Sequence, residues 1–211
     1  MTAVDGIRAD VSRMTMPLYS EQQLDTLREV ANIGAGTAST ALARLLGRPV
    51  DISIPVADAL PLAAGIAGLG GPDARVTGVL VPVAGDIPAL VLAVFPAAGA
   101  ARLCELLGVG GEDELGPSAL AEASNILATH YLGSLNAMTG LALEPEPPQL
   151  TRDFPAAVLH SAVVERLGAA ELVLFIDTEL RIEGESCALS FLFVPGAAAA
   201  AELLSRLGVP L

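Results

Sequence analysis

Two glutamate–asparagine pairs, Glu29-x-x-Asn32 and Glu122-x-x-Asn125, recur 93 positions apart in this 211-residue chain. Each pair has a small polar residue four positions upstream, Asp25 in the first copy and Ser118 in the second. Each asparagine is followed, after 22 intervening residues, by a proline, Pro55 or Pro148. All four positions keep the 93-residue offset. The groups on offer are a carboxylate, which accepts hydrogen bonds and attracts cations, and a carboxamide, which donates and accepts at once. Solvation of a helix surface would fix neither these residue types nor their spacing. The repetition points to a duplicated unit carrying a functional surface in both halves.

Helical phase shows where these residues face. At about 100° per residue with Asp25 at zero, Glu29 falls near 40°, Asn32 near 340° and Gly36 near 20°. Leu27 and Leu45 fall near 200°, Ala38 near 220°, Gly34 near 180°, and Leu24 and Leu42 near 260°. With Ser118 at zero, Glu122, Asn125 and Thr129 return to the arc from about 340° to 40°, while Leu120, Leu127, Tyr131 and Met138 lie near 180–220°. Each helix is expected to bury one face and present a narrow Glu/Asn stripe outward.

The elements that must position these stripes follow from caps, turns and periodicity. Ser20-x-x-Gln23 reads as a capping box opening a helix over 20–46, ended by Gly47. A strand Val50–Val56, then a short helix and loop over 57–75, precede a hairpin of Val76–Val83 and Pro88–Phe95 around Gly85-Asp86. A helix Ala97–Leu107 closes the half at Gly108. The second half repeats the order: a helix over 117–139 ended by Gly140, an extended segment through 145–148, and a short helix over 155–167. A hairpin of Leu172–Glu183 and Cys187–Val194 around Gly184 follows, then a helix Gly196–Leu207. Later landmarks align too, Leu60-Pro61 with Phe154-Pro155 and Phe95-Pro96 with Val194-Pro195, their offsets drifting from 94 to 99. The expectation is an α+β fold with pseudo-two-fold symmetry: a largely antiparallel sheet, two long motif-bearing helices and additional covering helices. Residues 18–211 are expected to form a single domain of two repeats, 18–110 and 111–211, behind a flexible leader at 1–17 in which Met14 and Met16 are alternative starts.

Composition narrows the function classes. A net charge of −13 argues against nucleic acid and anionic membrane surfaces as partners. All 11 basic residues are arginine, and the lack of lysine removes Schiff-base, P-loop and Ser-Lys chemistry. Cys104 and Cys187 sit in apolar runs and read as buried thiols in a reducing cytoplasm. The stretch Ala123–Leu143 lacks Asp, Glu, Lys and Arg, but its polar residues, including Asn125, His130 and Asn136, favour a soluble helix over a membrane span. His130 and His160 lack metal-ligand spacing. Gly34-Ala35-Gly36 follows no strand, so it reads as close helix packing rather than a nucleotide loop.

The pattern Asp/Ser-x-x-x-Glu-x-x-Asn with its downstream proline resembles the signature of the CheC, CheX and FliY family of bacterial chemotaxis phosphatases. The run Arg28-Glu29-Val30-Ala31-Asn32-Ile33-Gly34-Ala35-Gly36 is similar to the family's first motif. Two copies fit the CheC and FliY branches better than CheX, and the lack of residues for FliY's extra C-terminal domain favours CheC. The resemblance implies hydrolysis of the aspartyl phosphate on a CheY-like response regulator. By motif position, Asn32 and Asn125 would orient the attacking water, and Glu29 and Glu122 would dock the regulator, against its active-site lysine. Asp25, Pro55, Ser118 and Pro148 would shape the motif without doing chemistry. No cofactor of the chain's own is implied, Mg2+ being expected on the partner regulator. A CheD-like protein is a further partner the resemblance allows, and a cytoplasmic monomer is expected. The alternative is a non-catalytic adaptor that binds a response regulator or a CheD-like partner.

Overall fold

The first long helix, α1 (Glu21–Leu46), begins where the capping box placed it. The Gln23 backbone N–H donates to Ser20 Oγ at 3.3 Å, and the Ser20 N–H donates to Gln23 Oε1 at 2.6 Å. It ends at Gly47, whose φ of 63° is open to glycine at no steric cost. The computed structural model describes residues 20–53, 56–61, 69, 74–110, 115–167, 172–183 and 185–208. The leader 1–17, Pro55, Gly184 and the greater part of the stretch 57–75 lie outside the described residues.

The strands are β1 (Val50–Ile52), β2 (Val56–Pro61), β3 (Val76–Gly85), β4 (Ala89–Pro96), β5 (Leu143–Pro145), β6 (Gln149–Asp153), β7 (Leu172–Ile182) and β8 (Glu185–Pro195). The remaining helices are α2 (Ala97–Leu106), α3 (Leu115–Thr139), α4 (Pro155–Leu167) and α5 (Ala197–Arg206). All strand pairs are antiparallel, in the order β1-β7-β8-β4-β3-β5, with β2 also on β7 and β6 also on β3. The fold is α+β.

The halves are interlocked across this sheet. The leading strands of the first half, β1 and β2, pair with β7 of the second, and β5 and β6 of the second pair with β3 of the first. Val50 pairs with Ile182 and Leu143 pairs with Gly85, so the 93-residue offset extends from the motif into the strands. The central seam joins β4 to β8, with Leu92 opposite Leu192 and Ala93 opposite Phe191. Neither hairpin keeps its outer neighbour without the other half.

Side-chain alternation along β4 feeds two cores. Ala89, Val91, Ala93 and Phe95 face a cluster with Leu27, Ala38 and Leu42 of α1, Leu120, Leu127 and Leu132 of α3, and Leu203 of α5. Leu90, Leu92 and Val94 face the opposite cluster, built with Val158, Leu159 and Val163 of α4. β4 is therefore apolar throughout because both its faces are covered.

Three expectations need correction. The single strand Val50–Val56 is two pieces, and 57–61 continues the second strand rather than opening the short helix and loop expected over 57–75. Its alanines carry little strand preference, yet β7 offers a continuous ladder from Asp177 to Leu172 that overrides it. Leu45 and Met138, assigned by phase to the buried faces, are exposed. They occupy equivalent positions in the last turns of α1 and α3, where burial follows what packs on the helix rather than phase alone.

Candidate functional site

The buried face of α1 consists of Leu24, Leu27, Val30, Ala31, Gly34, Ala35, Ala38 and Leu42, together with Gln23. Packing of these residues on the sheet and on α3 turns the opposite face outward. Asp25, Glu29 and Gly36 are exposed there, and Asn32 is half-buried at the edge. On α3, burial of Leu120, Ala123, Ser124, Leu127 and Ala128 does the same. Ser118, Glu122 and Thr129 are exposed and Asn125 is half-buried. Seven of the eight sequence-derived site residues are thus described. Pro148 is half-buried in the link between β5 and β6, and Pro55 falls between β1 and β2 outside the described residues.

The two asparagines are set apart by what their amides do not do. Among the described residues, neither the Asn32 nor the Asn125 side chain forms a hydrogen bond within the chain, and neither Glu29 nor Glu122 forms an ion pair. Asn136, about three turns further along the same helix, behaves differently. Its Nδ2 donates to the Leu143 carbonyl at 2.9 Å and its Oδ1 accepts the Leu143 N–H at 3.0 Å, which clips α3 to β5. In the first half Ser39 takes that duty, its Oγ donating to the Val50 carbonyl. The structural amide commits both its donor group and its acceptor, whereas the motif amides have both uncommitted.

The surroundings of the two stripes are not the same. Arg28 Nη1 lies 2.5 Å from Asp25 Oδ1 and 4.0 Å from Glu21 Oε2, so an ion pair borders the first stripe. Ala121 holds the matching position in the second. Ile33, beside Asn32, is 44% exposed, whereas its counterpart Ile126 packs against the core. Thr129 Oγ1 donates to the Asn125 carbonyl at 2.7 Å, and the matching residue in the first copy is Gly36. Sequence reasoning placed the stripes but missed the exposure of Ile33 and the ion pair at Arg28. The 28/25 spacing on one helix could have signalled the latter.

Other candidate chemistry is set aside by its location. The thiol of Cys187 is pushed up to about 11 by burial, partly opposed by Arg102, and burial also raises that of Cys104. Both are buried, as expected. His160 is exposed on α4 and His130 half-buried on α3. Among the described residues no group of three or more His, Cys, Asp or Glu could hold a metal ion, and no helix is long and apolar enough to cross a membrane. The cavity between α1, α3 and the sheet is about 30 Å³ and lined by Leu27, Val30, Leu132 and Phe191 among others, a packing gap rather than a ligand site.

A family profile described as CheC-like matches residues 23–57, the span that holds Asp25, Glu29, Asn32 and Pro55. The CheY-P phosphatase CheC of Bacillus subtilis (strain 168) is 34% identical over 168 residues, covering 76% of this chain and 80% of that protein. The chain belongs to the CheC-like family. Its fold resembles that of Thermotoga maritima FliY, with a TM-score of 0.74 at 22% identity over 90% of this chain and 98% of the other. The FliM middle domain from H. pylori gives a TM-score of 0.67 at 13% identity, over 89% of this chain and 99% of the other. A CheX from Desulfovibrio desulfuricans gives 0.51 at 12% identity, over 79% and 99%. This CheC-like chain therefore shares its architecture with a FliY, a FliM middle domain and a CheX.

Proposed function

We propose that this chain is a protein-aspartyl-phosphate phosphatase acting on a CheY-like response regulator. The observation that carries the reading is the pair of uncommitted carboxamides, Asn32 and Asn125, each beside an exposed glutamate at the same place on its own helix. The Bacillus relative, a CheY-P phosphatase, supports it. An amide cannot take a proton near neutral pH, but it can hold a water by accepting from one O–H while donating to a phosphoryl oxygen. The water oxygen then attacks phosphorus in line with the departing aspartyl oxygen, the P–O bond to the aspartate breaks, and inorganic phosphate leaves with the water's protons distributed to it and to solvent. An acyl phosphate is already reactive, so a hundredfold acceleration asks for only about 2.7 kcal/mol.

Glu29 and Glu122 serve as anchors in this reading, each pairing with a lysine of the regulator through a charge-assisted hydrogen bond. The regulator supplies Mg2+ and with it most of the charge stabilisation. Asp25, Ser118, Pro55 and Pro148 shape the two repeats, which act within one domain of a cytoplasmic monomer.

The test is phosphate release from a phosphorylated receiver domain mixed with the full chain. Decay at least tenfold faster than the receiver alone supports the reading. Binding of the phosphorylated receiver with no change in its decay would assign the chain instead as an adaptor for a regulator or a CheD-like protein.

A further inference from the structure

We infer that Ile33 and Gly36 are positioning residues for the receiver domain at the first stripe, an assignment that rests on the phosphatase reading above. Gly36 leaves bare backbone beside the Asn32 amide, and Ile33 supplies an apolar contact at its rim.

Gly36 has no reason to be glycine within this fold. It stands inside α1 on the exposed face, four residues past Asn32, with no positive φ. A Cβ built on it meets nothing within 4 Å. Glycine is the poorest helix former after proline, so alanine at this position would favour the helix. Gly34, two residues earlier, shows the contrast: its Cβ would come within 2.9 Å of Tyr131, so packing requires it. The open space leaves the Gly36 backbone accessible beside Asn32, and close approach of another backbone is what a missing Cβ permits.

Ile33 gives a second, independent observation. It is a large aliphatic side chain left 44% exposed on a helix whose other face is well packed, while Ile126 at the matching motif position is half-buried and packs against the core. Asn32 and Ile33 each lie three or four residues from both Glu29 and Gly36, so carboxylate, amide, methyl groups and bare backbone form one patch. A patch offering charge, apolar surface and close backbone approach fits a folded protein surface rather than a free ion. It is also continuous with the Glu29–Asn32 pair, which commits it to the same occupant, the phosphorylated receiver. At the second stripe Thr129 fills the position of Gly36, its hydroxyl tied to the Asn125 carbonyl, so a receiver cannot settle as low there.

The experiment isolates the first stripe in an Asn125→Ala background and measures steady-state phosphate release from a receiver domain phosphorylated with acetyl phosphate. Gly36→Leu is expected to raise KM about tenfold and Ile33→Ser at least about threefold, with kcat within about twofold, the pattern of lost binding rather than lost chemistry. Thermal melting of Gly36→Ala and Gly36→Leu should be equal to or above that of the parent, which separates the effect from misfolding. Gly133→Ala on α3, where a Cβ also meets nothing within 4 Å, is the control and should leave KM unchanged. Unchanged KM in both Gly36→Leu and Ile33→Ser overturns the inference while leaving the phosphatase reading intact. Full phosphate release from Asn32→Ala in the same background would overturn both.

Discussion

Gly34 of α1 lies against Tyr131 of α3 so closely that a Cβ would sit 2.9 Å from the tyrosine Cδ1 and 3.0 Å from its Cα. The ring cannot swing away freely, because it stacks on Phe191 with centroids 4.7 Å apart. The two motif helices therefore meet through a missing side chain. Gly34→Ala is expected to destabilise the fold, overpacking costing about 1–3 kcal/mol against a helix-propensity gain of about 1 kcal/mol. Gly36→Ala on the same helix should instead stabilise by up to about 1 kcal/mol. Thermal or denaturant melts of the two variants should shift in opposite directions.

Asn136 and Asn125 should separate structure from chemistry on one helix. Asn136→Ala leaves the Leu143 N–H and carbonyl without their side-chain partners where the chain enters β5, a loss of about 2 kcal/mol. Asn125→Ala removes no hydrogen bond made within the chain, so its effect should stay within about 0.5 kcal/mol. Urea melts at neutral pH check both, and phosphate release should rank the pair in the reverse order.

Docking through glutamate carries its own signature. Replacing both anchors, Glu29→Gln with Glu122→Gln, keeps the shape but removes the charges that would meet a lysine. KM for the phosphorylated receiver should rise about tenfold, in line with loss of a charge-assisted hydrogen bond, while kcat changes little. The salt dependence of KM should flatten in the same variant.

Cys187 sets a limit at alkaline pH. Its folded value of about 11 lies above the ordinary thiol value of 9.0 because burial disfavours the thiolate. The native state therefore holds the proton after the unfolded chain has released it. Stability from this group is complete below pH 9 and is lost progressively as pH rises from 9 to about 11. Denaturant midpoints at pH 8 and pH 10.5 should show that fall, and Cys187→Ala should reduce it. The thiol should resist alkylation at pH 8 until the chain unfolds.

The sequence carried more of the helices and hairpins than of their assembly. Local signals fixed the ends of α1 because Ser20, Gln23 and Gly47 act on the backbone beside them, and the second hairpin was placed within a residue or two. β2 escaped because its strand character comes from β7, more than a hundred residues away, rather than from Val56–Pro61 itself. The interlocking of the halves escaped for the same reason, long-range pairing leaving no trace in local periodicity. Within the site, phase alone could not separate Asn136 from the motif, since it falls near the same angle as Ser118. Only the repeat does so, because its counterpart in the first copy is Ala43. Ile33 and Ile126 hold the same motif position, each directly after its asparagine, and their different exposure reflects the neighbours that each helix meets.

The most direct measurement is phosphate release from a phosphorylated CheY-like receiver by the Asn32→Ala/Asn125→Ala double variant beside the parent protein. Loss of both carboxamides should return decay to that of the receiver alone, a drop of about a hundredfold or about 2.7 kcal/mol in the barrier, with the melting temperature unchanged. Parental rates from the folded double variant would mean that neither amide holds the attacking water.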